Sequence, residues 1–183
     1  MFARTKRLTL RPGWAEDAVD IAQAIGHESV VTKLARPPWP YGVNEAQAFL
    51  AQPRGAHDPQ FIILEHGAAS PVLVGGIGIT TDPDGARMLG YWLAPDAWGR
   101  GLATEAGRAV IDIARHAIGL RQLHAWHFLD NPASGQVLRK LGFHPTGRVE
   151  LRPSRARGGV APSAAFNLDL DEDRGRGEQR MAA

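Results

Sequence analysis

Residues 97–106 read AWGRGLATEA. Gly99 and Gly101 flank Arg100, and a run of good helix formers starts at Leu102. Glycine adopts positive φ freely and lets backbone come close to a ligand. At the mouth of a helix the pair has two readings. Either the chain needs left-handed dihedrals to turn from strand to helix, or an anion lies against the backbone there. The first N–H groups of a helix have no internal partner and point outward, and the helix dipole adds partial positive charge. Gly99, Arg100, Gly101, Leu102, Ala103 and Thr104 therefore form a candidate pyrophosphate cradle, to which Arg100 could add a full charge.

Two common phosphate loops do not fit. A P-loop needs Gly-Lys-Ser/Thr, and here Leu102 and Ala103 follow Gly101. A dinucleotide fingerprint needs a third glycine, where Thr104 stands, and an acidic residue closer than Asp130.

Working outward, KRLTLRP alternates Leu8 and Leu10 with polar residues, as a half-buried strand does. Ala18, Ile21, Ala22 and Ile25 fall at helical spacing within 14–25, and Gly26 is a stop. ESVVTKLA reads as a short helix, and PPWPYG breaks regular structure. Asn44 with Gln47 resembles a capping box opening the helix EAQAFLA. QFIILE, VLVGGIGIT and ARMLGYWLA read as an antiparallel meander, the last two joined by the turn DPDG. That order is wrong for a doubly wound parallel sheet. A helix over 102–117 ends at Gly119, RQLHAWHFL is a strand, and a helix over 132–141 ends at Gly142. A strand pair closes the chain, with SAAFNLDL last. Residues 1–170 are expected to form one domain. The polar, glycine-rich tail 171–183 is expected to be disordered.

The 183 residues suit a full core. Apolar content of 44% and a net charge of +2 describe an ordinary globular protein without a nucleic-acid footprint. The absence of cysteine excludes disulfides, thiolate zinc sites and a cysteine nucleophile. No secretory h-region or long apolar run is present, so no membrane partner and a cytoplasmic location are expected.

LGYWLAPDAWGRGLATEA (89–106) followed by DNPASGQVLRKLGF (130–143) resembles the GNAT superfamily of acetyl-CoA-dependent N-acetyltransferases. The nearest branch is the one holding the ribosomal-protein N-terminal acetyltransferases. RLTLRP, PWPYGVNEAQAFL and GGIGI extend the likeness over about residues 4–170. Gly101 and Ala103 match the last two anchors of the loop Q/R-x-x-G-x-G/A, and Trp98 replaces its first.

The resemblance implies an α/β fold of the acyl-CoA N-acyltransferase type. Its mixed, mostly antiparallel twisted sheet has one splayed strand pair and helices on both faces. It implies acetyl-CoA as cosubstrate, no metal, and a primary amine acceptor, either a peptide N-terminus or a small molecule. The protomer is expected to act as a monomer or homodimer. Leu93 and Ala94 would offer backbone to the pantetheine arm, and the loop from Trp98 to Thr104 would grip the pyrophosphate. Asn131 and Ser134 would lie on the far wall. Many GNAT enzymes place a tyrosine where this chain has Leu138; in the resembling branch a serine one turn earlier is the thiolate partner, and the resemblance implies that role for Ser134. A plainer reading makes Asn131 an N-cap, Pro132 N1 and Ser134 merely N3.

The general base has several candidates. Glu28 lies in the region that shapes the acceptor pocket in this family. Glu105 sits in the first turn after the cradle, where a carboxylate is also good helix chemistry. His127 has a suitable unperturbed pKa, although a strand histidine commonly serves packing, and a water chain would also suffice. His124 and His127 face opposite sides of a strand and cannot share a metal. Trp39 and Tyr41 either line the acceptor pocket or anchor their loop. A coenzyme-binding sensor without turnover is the rival from another class.

Overall fold

The computed structural model describes residues 1–55, 57–67 and 70–171. The tail expected to be disordered lies, apart from Asp171, outside the described residues. In chain order the elements are β1 (Ala3–Arg4), β2 (Leu8–Arg11), α1 (Ala18–Ile25), α2 (Glu28–Val31), α3 (Val43–Leu50), β3 (Gln60–Glu65), β4 (Val72–Thr81) and β5 (Arg87–Leu93). They continue as α4 (Leu102–Asp112), β6 (Gln122–Phe128), α5 (Pro132–Lys140), β7 (His144–Ser154) and β8 (Gly159–Asp169). The strands form one sheet in the order β1-β2-β3-β4-β5-β6-β8-β7. Every neighbouring pair is antiparallel except β5 and β6.

Alternation along the strands sends side chains to two cores. Phe61 and Ile63 of β3 join Leu8 and Leu10 under the buried stripe of α4, Leu102, Ala106 and Val110. Ile62 faces the other way, against Ile21 and Ile25 of α1, Val30 and Val31 of α2, and Ala46 of α3. Helices thus cover both faces, as expected. In β4, Leu64↔Leu73 is followed by Ile63↔Gly75, which leaves Val74 as the extra residue of a β-bulge. The bulge lets Val74 share a face with Ile77 and Ile79. Beside it, a Cβ on Gly76 would stand 2.6 Å from the Trp92 indole nitrogen, so glycine is what allows that ring to lie across β4.

Three boundaries differ from expectation. Helix α3 starts at Val43, two residues earlier than the Asn44–Gln47 box implied. The Gly42 N–H donates to Glu45 Oε2 at 2.9 Å, because an ionised carboxylate is a stronger acceptor than the Gln47 amide and suits the helix dipole. The helix expected over 102–117 runs as α4 and then widens into a π-helical stretch, Ile113–Ile118, closed by Gly119 at φ +75°. The final strand β8 starts at Gly159, well before SAAFNLDL. Its partner β7 is exposed along most of its length, so it carries little of the alternation that reveals strands.

At the N-terminal end, Asp17 ties β2 to α1. Its carboxylate accepts two hydrogen bonds of 2.7 Å from the Arg11 guanidinium and one of 2.7 Å from the Trp14 N–H. The guanidinium also lies 3.9 Å from the Trp14 ring centroid.

The feature that shapes the site is the junction of β5 and β6. These parallel strands are registered at one pair, Met88↔His124. Beyond it they part, and the edge of β5 facing β6 is open toward Leu93.

Candidate acyl-transfer cleft

One wall of the cleft begins where β5 ends. Pro95 opens a short 3-10 turn to Ala97, and Trp98 turns back so that its indole N–H donates to the Leu93 carbonyl at 2.9 Å. Gly99 and Gly101 have φ of +72° and +77°. Gly101 is the N-cap of α4, and the Glu105 N–H makes the helix's first bond to its carbonyl at 3.1 Å. The N–H groups of Leu102, Ala103 and Thr104 precede that bond and have no intrahelical acceptor. Their side chains are buried, so side chains anchor the first turn of α4, and the Arg100 carbonyl before it accepts from Arg7 Nη1 at 3.0 Å. A Cβ on Gly99 would meet nothing within 4 Å, and one on Gly101 would come 3.7 Å from Arg7 Nη2. The turn requires left-handed dihedrals at both glycines, and it leaves an open concavity in front of them.

That concavity continues into a cavity of about 470 Å³ lined by Lys6, Arg7, Gly101, Thr104, Arg108 and Lys140, among others. Four cations gather there against one carboxylate, Glu105. Arg100, expected to bring the charge, pairs with Glu65 of β3 through hydrogen bonds of 2.6 and 3.0 Å, much as Arg7 pairs with Glu105. The basic pair Lys6 and Arg7 opens the KRLTLRP strand, but sequence has no means of showing that this strand lies beside α4.

Glu105 does not fit the role of a base. Its Oε1 accepts from the Thr5 hydroxyl at 2.6 Å and the Arg7 N–H at 2.9 Å, and its Oε2 accepts from Arg7 Nε at 2.7 Å. Burial alone would raise its pKa, but these bonds and the guanidinium charge outweigh it and hold the carboxyl below its usual range. Glu105 is a tether between β2 and α4.

The Leu93 and Ala94 main-chain groups also have protein partners. The Leu93 carbonyl takes the Trp98 indole, and the Ala94 N–H donates to Val74 at 2.9 Å.

The far wall is the loop from β6 into α5. Asn131 is the N-cap, its Oδ1 accepting from the Ser134 N–H at 3.4 Å, with Pro132 at N1. The Ser134 hydroxyl lies 2.7 Å from the hydroxyl of Tyr91, which reaches across from β5 and also stands 3.0 Å from the Ser134 carbonyl. Leu138 is fully buried in the core beneath α4. His127 is also buried. Its Nδ1 lies 2.8 Å from the Phe128 carbonyl, so Nδ1 carries the proton, and Nε2 abuts Gly135, where a Cβ would come within 2.6 Å. The ring further packs 5.5 Å from Phe166. The geometry gives His127 a packing role under α5.

On the opposite face of the sheet, the β7–β8 turn docks onto the segment after α2. Ser154 Oγ donates to the Leu34 carbonyl at 2.9 Å, the Arg155 N–H to Ala35 at 2.9 Å, and Arg157 Nε to Thr32 at 2.6 Å. Asp130, just past β6, joins both sides through Lys33 and Arg157, each 3.0 Å away. Hydrogen bonding to Arg157 leads the effects that hold its carboxyl below its usual range, against desolvation and with help from Lys33. Asp130 is half exposed, so Asp130→Ala is expected to cost no more than about 1 kcal/mol in urea unfolding. Glu28 is exposed at the start of α2. Trp39 is 43% exposed, whereas Tyr41 packs into the α1–α3 core and its phenol is pushed up to about 12 by burial, aided by Glu45. Tyr41 therefore anchors the loop, and Trp39 is the member of the pair left to face solvent.

Known proteins resemble this chain in sequence and fold. The family described as Acetyltransferase (GNAT) domain matches residues 7–144. An uncharacterized N-acetyltransferase of Bacillus subtilis, YoaA, is 35% identical over 77 residues, which is 41% of this chain and 44% of that protein. The matched segments span less than half the length of the curated relatives. Among solved structures, a putative ribosomal-protein-serine acetyltransferase from Vibrio cholerae superposes with a TM-score of 0.76 at 22% identity, covering 92% of this chain and 97% of that one. Spermidine N-acetyltransferase from Vibrio cholerae, solved with CoA and spermine, does so at 0.75 and 14% identity, covering 92% and 98%. With three quarters of its length matched by that family and its sheet parted where the glycine loop begins, the chain belongs to the GNAT acetyltransferases.

Proposed function

We propose that the protein transfers the acetyl group of acetyl-CoA to a primary amine by direct attack, and that its preferred acceptor is a peptide N-terminus. The observation that carries this reading is the open glycine cradle at the head of the parted strands, bordered by four cations. The donor set suits coenzyme A: unpaired helix N–H groups for a diphosphate, and Lys6, Arg7, Arg108 and Lys140 for its phosphates. Bound there, acetyl-CoA supplies an activated thioester.

The residues of the chain bind and orient. The first turn of α4 holds the diphosphate, the open edge of β5 accommodates the extended arm, and the Ser134 hydroxyl faces the sulfur. Holding two reactants in register is worth several kcal/mol, about 7–11 in favourable cases. The amine nitrogen bonds the acyl carbon, the C–S electron pair stays with sulfur, and the amine proton leaves through water. The chain has no cysteine, so no acyl-cysteine forms.

The state of two base candidates supports this choice of acceptor. Glu105 is committed to Thr5 and Arg7, and His127 is packed under α5. An α-amino group, with a pKa of about 7.7–8.0, needs little help, whereas lysine at about 10.4 needs a strong base. Thiol release from acetyl-CoA, followed with peptides bearing a free N-terminal alanine or serine, is expected to rise with pH through the α-amine range. An Nα-blocked lysine peptide and spermidine are expected to react at least about tenfold more slowly. Faster release with spermidine would replace the peptide by a small amine. Tight CoA binding without acceptor-dependent release would make the protein a sensor.

A further inference from the structure

We propose that Tyr91 is the positioning residue that aims the Ser134 hydroxyl at the coenzyme sulfur, so that two hydroxyls from opposite walls of the cleft act together on the departing thiolate. The inference rests on the coenzyme reading above. It starts from what α5 lacks: Leu138 is sealed in the core, and α5 brings no phenol to the cleft. A phenol arrives instead from β5, just past the point where β5 and β6 part.

The hydrogen bonds admit two proton arrangements. In one, the Tyr91 O–H donates to the Ser134 carbonyl at 3.0 Å and the serine donates back to Tyr91 at 2.7 Å. In the other, Tyr91 donates to Ser134 Oγ, which frees the serine proton to point into the cleft. A thiolate there selects the second arrangement. The Asn131 side chain meanwhile holds the Ser134 N–H, so the backbone beneath the hydroxyl is fixed and its rotamer is set by Tyr91.

No proton leaves the tyrosine. Burial, opposed by the Ser134 bond, pushes its phenol up to about 12, far above a thiol at ~8.5. Tyr91 therefore stays protonated and donates a hydrogen bond only. The pair lowers the charge density on sulfur while the C–S bond breaks, and the thiolate is protonated later from water.

The test titrates the thiol of bound CoA by the ultraviolet absorbance of its thiolate, after calorimetry has established binding. In the wild type the bound thiol is expected to ionise below the free value. Tyr91→Phe keeps the ring and should weaken ionisation about three- to tenfold, the effect of one hydrogen bond. Ser134→Ala should weaken it at least as much, and Ser134→Thr should restore it. Adding Tyr91→Phe to Ser134→Ala should change nothing further. The proposal is overturned if Tyr91→Phe leaves the thiol titration unaltered, even with a lowered melting temperature, or if it shifts the titration equally with and without Ser134. Absence of CoA binding by the wild type overturns the coenzyme reading as well, and calorimetry separates that result from the others.

Discussion

Asp17→Ala is expected to lower the unfolding free energy by about 3 kcal/mol, the cost of stranding one member of a buried ion pair. The Arg11 and Asp17 side chains are only 15% and 10% exposed. The alanine variant would leave Arg11 without its bidentate partner and the Trp14 N–H without an acceptor. The same carboxylate carries an acid dependence. Hydrogen bonding to Arg11 leads the effects that lower its pKa, against desolvation. A group depressed in the folded state contributes fully above its unfolded value, about 3.9. That contribution is lost as pH falls through the folded value. Urea unfolding from neutral pH into the acid range should show the gap between wild type and Asp17→Asn shrinking as the wild-type carboxylate protonates. A pH-independent gap would show that the pair is not what Asp17 contributes.

Gly101→Val is expected to reduce CoA affinity about 100-fold or more, equivalent to losing one or two charged hydrogen bonds at ~1.5–3 kcal/mol each. Gly101 sits at φ +77° and ψ 6°, where a β-branched residue is an outlier and L-residues cost roughly 1–2 kcal/mol. To relieve that strain, the loop must rotate the N–H groups of the first turn away from the diphosphate. Gly119→Val provides the control. Gly119 has nearly the same dihedral, φ +75°, but closes the far end of the α4 helical run, with nothing within 4 Å of its would-be Cβ. Both variants should lose comparable stability by thermal melting, and only Gly101→Val should lose heat of CoA binding in calorimetry. Equal losses of affinity in the two would mean that the cradle is not the seat of recognition.

What could be read before folding follows the physics of periodicity. Leu8 with Leu10 and the Ala18–Ile25 stripe are legible because burial repeats along the chain at the period of the element, and QFIILE is legible as a short unbroken apolar run buried on both faces. The closing strand pair is legible, but the bounds of β7 are not, since an exposed edge strand has no such repeat. The glycines at 99 and 101 announce the left-handed turn into α4 because that requirement is local. The cations of the cavity lie outside that stretch: Lys6 and Arg7 come from the N-terminal end of the chain. Tyr91 was missed for a related reason. Within GYWL it reads as one more strand aromatic, and only the fold brings it to Ser134.

The single register pair between β5 and β6 has a consequence for how the protein responds to what it binds. A continuous sheet resists bending across its strands because each ladder bond holds the next. Here that stiffness is interrupted along one line, where β5 and β6 share a single register pair. An extended molecule threaded into the gap acts as a surrogate strand, replacing water on the exposed amides. Occupancy should therefore be felt as a stiffening of the whole sheet, with slower amide exchange in β5 and β6 on both sides of the seam.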